Sequence, residues 1–193
     1  INIKRGHYEF DMKGQEGACI GSVNGDSELL IEYCDMDIYS GISNGTIIGS
    51  VNGDADIKLE NISAKLQGAG NIITGIGTIA GNSCMVRLEN VNISSNIRAK
   101  ECYGIGCRAG RTNIYIGYAA VKSVVQGKAA VAFGNSVMSA KLYCSNADIG
   151  TNAVTEFNSD IGALEKNIQL ENGRAEFILN GQEVKRQILA ARL

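Results

Sequence analysis

Proline is missing from this chain of 193 residues, and histidine occurs once, as His7. A chain without proline keeps every backbone N–H as a donor, which suits tight turns set inside a sheet. A single histidine leaves little material for a Ser-His-Asp set or a zinc centre, and Cys102-x4-Cys107 has no second cysteine pair to complete four ligands. No apolar run approaches the about 18 residues of a membrane-spanning helix. No long basic run accompanies the net charge of −2, which argues against nonspecific nucleic-acid contact by this domain. No signal-peptide pattern stands at the start, which is Ile1 rather than Met.

Glycine is abundant, with 24 residues, and it is periodic. An Ile-Gly pair occurs at Ile20-Gly21, Ile48-Gly49, Ile76-Gly77, Ile105-Gly106 and Ile161-Gly162, with Phe133-Gly134 in the remaining copy, at spacings of 28, 28, 29, 28 and 28. A fixed period of this size marks units that cannot bury their own apolar faces and must stack on one another. A second glycine follows four residues on at Gly25, Gly53, Gly81 and Gly110.

Apolar pairs spaced by two come next: Leu29/Ile31, Ile57/Leu59, Val86/Leu88, Ile114/Ile116, Leu142/Cys144 and Ile168/Leu170. That spacing is one face of a β-strand. A third set begins an odd five residues after the first member of each pair, as in Cys34/Met36, Ile62/Ala64, Val91/Ile93, Ala119/Val121 and Ala147/Ile149, so a corner must lie between the two strands. Asn61, Asn90, Asn146 and Asn172 occupy that corner, with Tyr33 and Tyr118 in the other copies. Asn tolerates the left-handed conformation such a bend needs. The pattern predicts an all-β fold: a single-stranded parallel β-helix, or solenoid, of about six 28-residue coils with three short strands each. With strands about 4.8 Å apart, the column stands on the order of 30 Å tall.

The phrase Ala-x-Ile-Gly, here Ala18 to Gly21 and its echoes, resembles right-handed bacterial β-helix repeats of carbohydrate-binding and surface-associated proteins across roughly residues 1 to 177. Right-handed winding is what the resemblance implies. Within that architecture, pectate lyases and polygalacturonases rely on clustered Asp with Arg, or on Asp pairs with a Gly-His-Gly segment. The chain has no such segment, and its Asp residues sit at turns; Asp35 and Asp37 flank Met36 and point outward without an evident acid partner. No catalytic residue and no cofactor is therefore expected.

Ile1-Asn2-Ile3 followed by Tyr8 and Phe10 echoes Ile168-Gln169-Leu170 followed by Ala175 and Phe177, so the chain is expected to begin in mid-coil, downstream of a further domain. Residues 178–193 are expected to cap the column of residues 1–177: Asn180-Gly181 is a strong hairpin turn, and residues 185–193 suit a short amphipathic helix or a tail.

The six cysteines fall in different columns of the repeat and read as small buried hydrophobes, which favours a reducing cytoplasm or an anaerobic exterior. Outward positions of the second strand present Lys58, Arg87, Tyr115 and Tyr143, beside Glu32, Glu60 and Glu89. Tyrosines and charges at one-coil spacing suit a ligand such as a glycan. They also suit a solvated wall whose cations, Lys58 against Asp56 among them, relieve like-charge repulsion. Asp26, Glu28, Asp54 and Asp56 crowd one edge in adjacent coils, a pattern open to Ca²⁺ or to ordinary turn chemistry; no metal site is assigned.

The expected function is a non-catalytic binding module of a larger bacterial protein, contacting glycan or a protein partner through Arg87, Tyr115 and Tyr143. A cytoplasmic sensory or assembly domain fused to an upstream regulatory domain, with DNA binding among the options for that domain, is the alternative, and an oligomerisation scaffold or spacer the third.

Overall fold

The computed structural model describes residues 1–135, 139–156 and 168–183. Every element among them is a β-strand: β1 (Asn2–Asn24), β2 (Ser27–Asn52), β3 (Ala55–Gly117), β4 (Ala120–Gly127), β5 (Ala129–Gly134), β6 (Ala140–Thr155), β7 (Ile168–Leu179) and β8 (Gln182–Glu183). The long elements run around corners rather than straight, and pairing is parallel at one-repeat register. Ile3 lies against Ile31 and Ile20 against Ile48; Ile57 follows Leu29 and Ile76 follows Ile48. Further down, β3 pairs with β4, β5 and β6, and β6 with β7. The result is the expected parallel β-solenoid of about six turns.

The apolar columns read from the sequence line its interior. Leu29, Ile31, Ile57, Leu59, Val86, Leu88, Ile114 and Leu142 are all buried, as are Cys34, Met36, Ile62, Ile93, Val121 and Ile149 across the corner. A fully buried aliphatic side chain contributes about 1.5–3 kcal/mol, and here each is shared between rungs, so no coil is stable without its neighbours.

Two backbone devices turn the chain. At the first corner, Tyr33, Asn61, Asn90, Tyr118, Asn146 and Asn172 all adopt φ between 46° and 56°, and Arg5 joins them at 52°. Asn90 Nδ2 donates to Asn61 Oδ1 at 2.6 Å, which ties two adjacent corners together. At the Ile-Gly pair, Gly21, Gly49, Gly77 and Gly106 have φ of 137–141°. A Cβ on Gly49 would lie 1.8 Å from the carbonyl oxygen of Gly77, so no side chain fits in that column. The pair at Ile161-Gly162 lies outside the described residues.

The strand that ends in Ile-Gly departs from the expectation of one inward face. Residues 45–51, 73–79 and 102–107 are buried without interruption, on both sides of the strand. The chain bends at the glycine into a crease, and side chains on either side of the bend meet across it. Arg108 Nε donates to Glu101 Oε2 at 2.7 Å, and Asn52 Nδ2 donates to Glu16 Oε1 at 3.1 Å. Inside the turn, the residue after Ile-Gly satisfies the coil above: Ser50 Oγ donates to the Gly25 carbonyl at 2.8 Å, Thr78 Oγ1 to Gly53 at 2.7 Å and Asn135 Nδ2 to Gly110 at 2.7 Å. Buried polar side chains thus supply donors where the glycine turn leaves carbonyls unpaired.

At the far end, β8 folds back antiparallel on β7, with Leu179 opposite Gln182. Asn180 and Gly181, at φ 48° and 80°, make the expected hairpin turn. Asn180 also clasps the preceding coil: Thr155 N–H donates to Asn180 Oδ1 at 2.9 Å, and Asn180 Nδ2 donates to the Thr155 carbonyl at 3.1 Å. Residues 185–193, the expected helix or tail, lie outside the described residues.

Candidate functional site

On the wall built by the second strand of each coil, inward residues alternate with outward ones. Ala55, Ile57 and Leu59 are buried, so Asp56, Lys58 and Glu60 face out. The outward column through Lys58 continues one repeat at a time to Arg87, Tyr115, Tyr143 and Gln169, with Tyr115 paired to Tyr143 and Tyr143 to Gln169. The two tyrosine rings stack with centroids 5.0 Å apart and planes 7° off parallel. Each ring therefore gives one face to the other. What the wall offers to a ligand is ring edges, hydroxyls and the outer faces toward Arg87 and Gln169.

A shallow depression of about 640 Å³ runs along this column, lined by Arg87, Tyr115, Tyr143 and Gln169 on one side and by Glu89 and Glu171 on the other. The three residues expected from the sequence, Arg87, Tyr115 and Tyr143, are brought together here. A fourth, Gly117, was not expected. It follows Glu32, Glu60 and Glu89 in the neighbouring column, and it leaves a gap into which Glu89 leans. A Cβ on Gly117 would lie 2.3 Å from Glu89 Oε2. The break in an otherwise acidic column was visible in the sequence and is the floor of the depression.

The charges around it are mostly compensated. Lys4 Nζ lies 2.8 Å from Glu32 Oε2, and its hydrogen bond is the main reason the Glu32 carboxyl is held below the usual carboxylate range. Lys58 Nζ lies 2.7 Å from Glu60 Oε1, and that hydrogen bond raises the Lys58 ammonium above its ordinary value. Arg87, not Lys58, pairs with Asp56. The expectation that Lys58 neutralises Asp56 is thereby corrected: Asp56 and Glu60 flank Lys58 on one outward edge, and the longer Arg87 side chain reaches up one coil to Asp56, leaving Lys58 to Glu60.

Along the acidic edge of Asp26, Glu28, Asp54 and Asp56, the three Asp carboxylates are engaged by protein groups. Asp26 Oδ1 accepts from the Asp54 N–H at 2.9 Å, and Asp54 Oδ1 from Asn82 and Ser83 N–H at 2.7 and 3.0 Å. Asp26 and Asp54 thus each cap the turn of the coil below. Among the described residues no group of three or more His, Cys, Asp or Glu side chains is disposed to hold a metal ion. Asp35 and Asp37 are exposed, as expected, with Asp37 3.8 Å from Lys65 Nζ.

All six cysteines are free thiols; five are buried and Cys19 is half-buried. Burial pushes the Cys102 thiol up to about 11 and the Cys144 thiol to about 12, so both stay neutral at physiological pH. Among the described residues no helix is long and apolar enough to cross a membrane. Comparisons with protein-family models, curated proteins and solved structures find no match to this chain.

Proposed function

We propose that this solenoid is a non-catalytic binding module of a larger protein and that it takes a glycan on the wall of Arg87, Tyr115 and Tyr143. The observation that carries the reading is the coincidence of the column that breaks the repeat with the depression floored by Gly117. Elsewhere in the coil, residues recur because the fold needs them; here Lys, Arg, Tyr, Tyr and Gln succeed one another in one column. Tyrosine hydroxyls, the Glu89 carboxylate and the Arg87 guanidinium offer donors and acceptors to hydroxyl groups, with a partly apolar floor beneath them. The resemblance of the Ala-x-Ile-Gly phrase to right-handed bacterial carbohydrate-binding repeats supports a sugar over a protein.

An array of uncharged glycans probed with wild type and with Tyr115→Ala/Tyr143→Ala tests this. Binding that disappears in the double variant supports the site, whereas binding that survives, or a wild type that recognises no uncharged glycan, rejects it. One observation favours a second reading, a sensory or assembly domain inside a reducing compartment: none of the six cysteines is in a disulfide. In that case the same wall meets a protein and the array stays blank.

A further inference from the structure

Charge is divided sharply along the column. From Ile1 to Glu60 the chain carries eleven acidic and four basic residues, whereas from Asn61 to Ala147 it carries two acidic and nine basic ones. The net charge of −2 conceals this. The two acidic residues of the basic stretch, Glu89 and Glu101, are both engaged elsewhere, Glu89 over Gly117 on the tyrosine wall and Glu101 with Arg108 in the crease.

On the face beyond the Asn corner, formed by residues 92–100 of β3 and by β4, outward positions read Asn92, Ser94, Asn96, Arg98, Lys100 and then Ala120, Lys122, Val124, Gln126, Lys128 in the next coil. Ser94 lies against Lys122 and Arg98 against Gln126. Lys100 and Lys128 both line one depression beside Gln126, with Glu156 at its lower rim. Arg98, Lys100, Lys122 and Lys128 are exposed, and among the described residues none of the four forms an ion pair. Lys100 and Lys128 stand on facing rungs about 4.8 Å apart and Arg98 about 6.6 Å from Lys100 along its strand, so these three repel one another, with Glu156 at the rim, while Lys122 lies further along beside Asp148 and Glu176. An anionic ligand is what relieves that repulsion.

We propose that this face is a second ligand surface, separate from the tyrosine column, and that it binds an acidic polysaccharide. Two features choose that class of polyanion. No aromatic ring stands among these outward positions, so bases have nothing to stack on, as single-stranded nucleic acids require. Asn96 and Gln126 are set between the cations, and their amides serve hydroxyl groups as the cations serve carboxylates. The cations spread over two adjacent coils of a flat parallel sheet, which fits an extended polymer rather than a compact anion.

The test measures binding of polygalacturonate, neutral dextran and oligothymidylate to wild type, to Arg98→Ser/Lys100→Ser/Lys122→Ser/Lys128→Ser, and to Tyr115→Ala/Tyr143→Ala. Expected are polygalacturonate binding that weakens as salt rises, a loss of about tenfold or more in the quadruple variant, and retention in the tyrosine variant. Single Lys122→Ser and Lys128→Ser variants, each expected to lose part of the affinity, serve if the quadruple variant does not fold. Undiminished binding in those variants overturns the assignment, as do absence of polygalacturonate binding and tighter binding of oligothymidylate. Because the tyrosine variant is measured alongside, failure here is distinguishable from failure of the glycan site on the other wall.

Discussion

Glycine in this chain has two very different standings, and the spacing of the repeat tells them apart. At Gly49 a side chain meets the Gly77 carbonyl and the backbone sits at φ 137°; at Gly150 nothing lies within 4 Å of an added Cβ. Gly49→Ala is expected to cost about 3 kcal/mol or more, strain plus a forced gap between rungs, while Gly150→Ala stays within about 0.5 kcal/mol of wild type. Urea titrations of the two variants check the contrast. The corner carries a prediction of opposite sign. Tyr118 and Tyr33 hold left-handed φ of 46° and 56° while remaining 65% and 57% exposed, so little packing offsets the strain. Tyr118→Asn, which places the residue found at most other copies of this corner, is expected to stabilise by about 0.5–1 kcal/mol, seen as a raised unfolding midpoint. These residues were legible because stacking imposes the same demand at every rung. Arg87, Tyr115 and Tyr143 were legible for the converse reason, since they stand at an outward position whose residue changes along the column. Their partners were less so: which carboxylate Arg87 takes depends on side-chain reach across coils, which a column of letters does not encode.

At the scale of the element, strand positions and corners followed from odd and even spacings, but the crease at Ile-Gly did not. Period-two reading assigns one buried face to a strand, and the uninterrupted burial of residues 73–79 arises only because the chain bends back on itself and covers the other. The polar side chains after the pair, Ser50, Thr78 and Asn135, give the one hint, since each is buried and donates to a carbonyl of the coil above. The terminal hairpin was legible in Asn180-Gly181, yet its clasp on Thr155 was not. Asn180→Ala removes both of those hydrogen bonds and is expected to loosen the last coils by about 1–2 kcal/mol. Hydrogen exchange is the readout: amides of β6 and β7 lose protection while those of β2 keep theirs. Uniform loss along the column would show instead that the solenoid opens as one unit.

Across the whole molecule, the interior thiols tie stability to alkaline pH. Burial raises Cys102 to about 11 and Cys144 to about 12, above the ordinary 9.0. The folded state thus holds protons that the unfolded chain releases. The stabilisation is complete below pH 9 and declines as pH rises from there through the folded values. Cys102→Ala/Cys144→Ala is expected to flatten that decline, measured as unfolding free energy at pH 8 and pH 10. The same burial predicts that Cys19, the half-buried thiol, reacts first with a thiol reagent under native conditions.

We propose that building the column and binding with it are separate tasks assigned to inward and outward residues. Thermal unfolding and affinity for an uncharged glycan, measured together on Tyr115→Ala/Tyr143→Ala, separate the two. The stacked pair contributes about 1 kcal/mol at most beyond its area, so the midpoint is expected to fall by only a few degrees while affinity drops about tenfold or more. Affinity that is unchanged, or a midpoint that collapses together with it, contradicts the account.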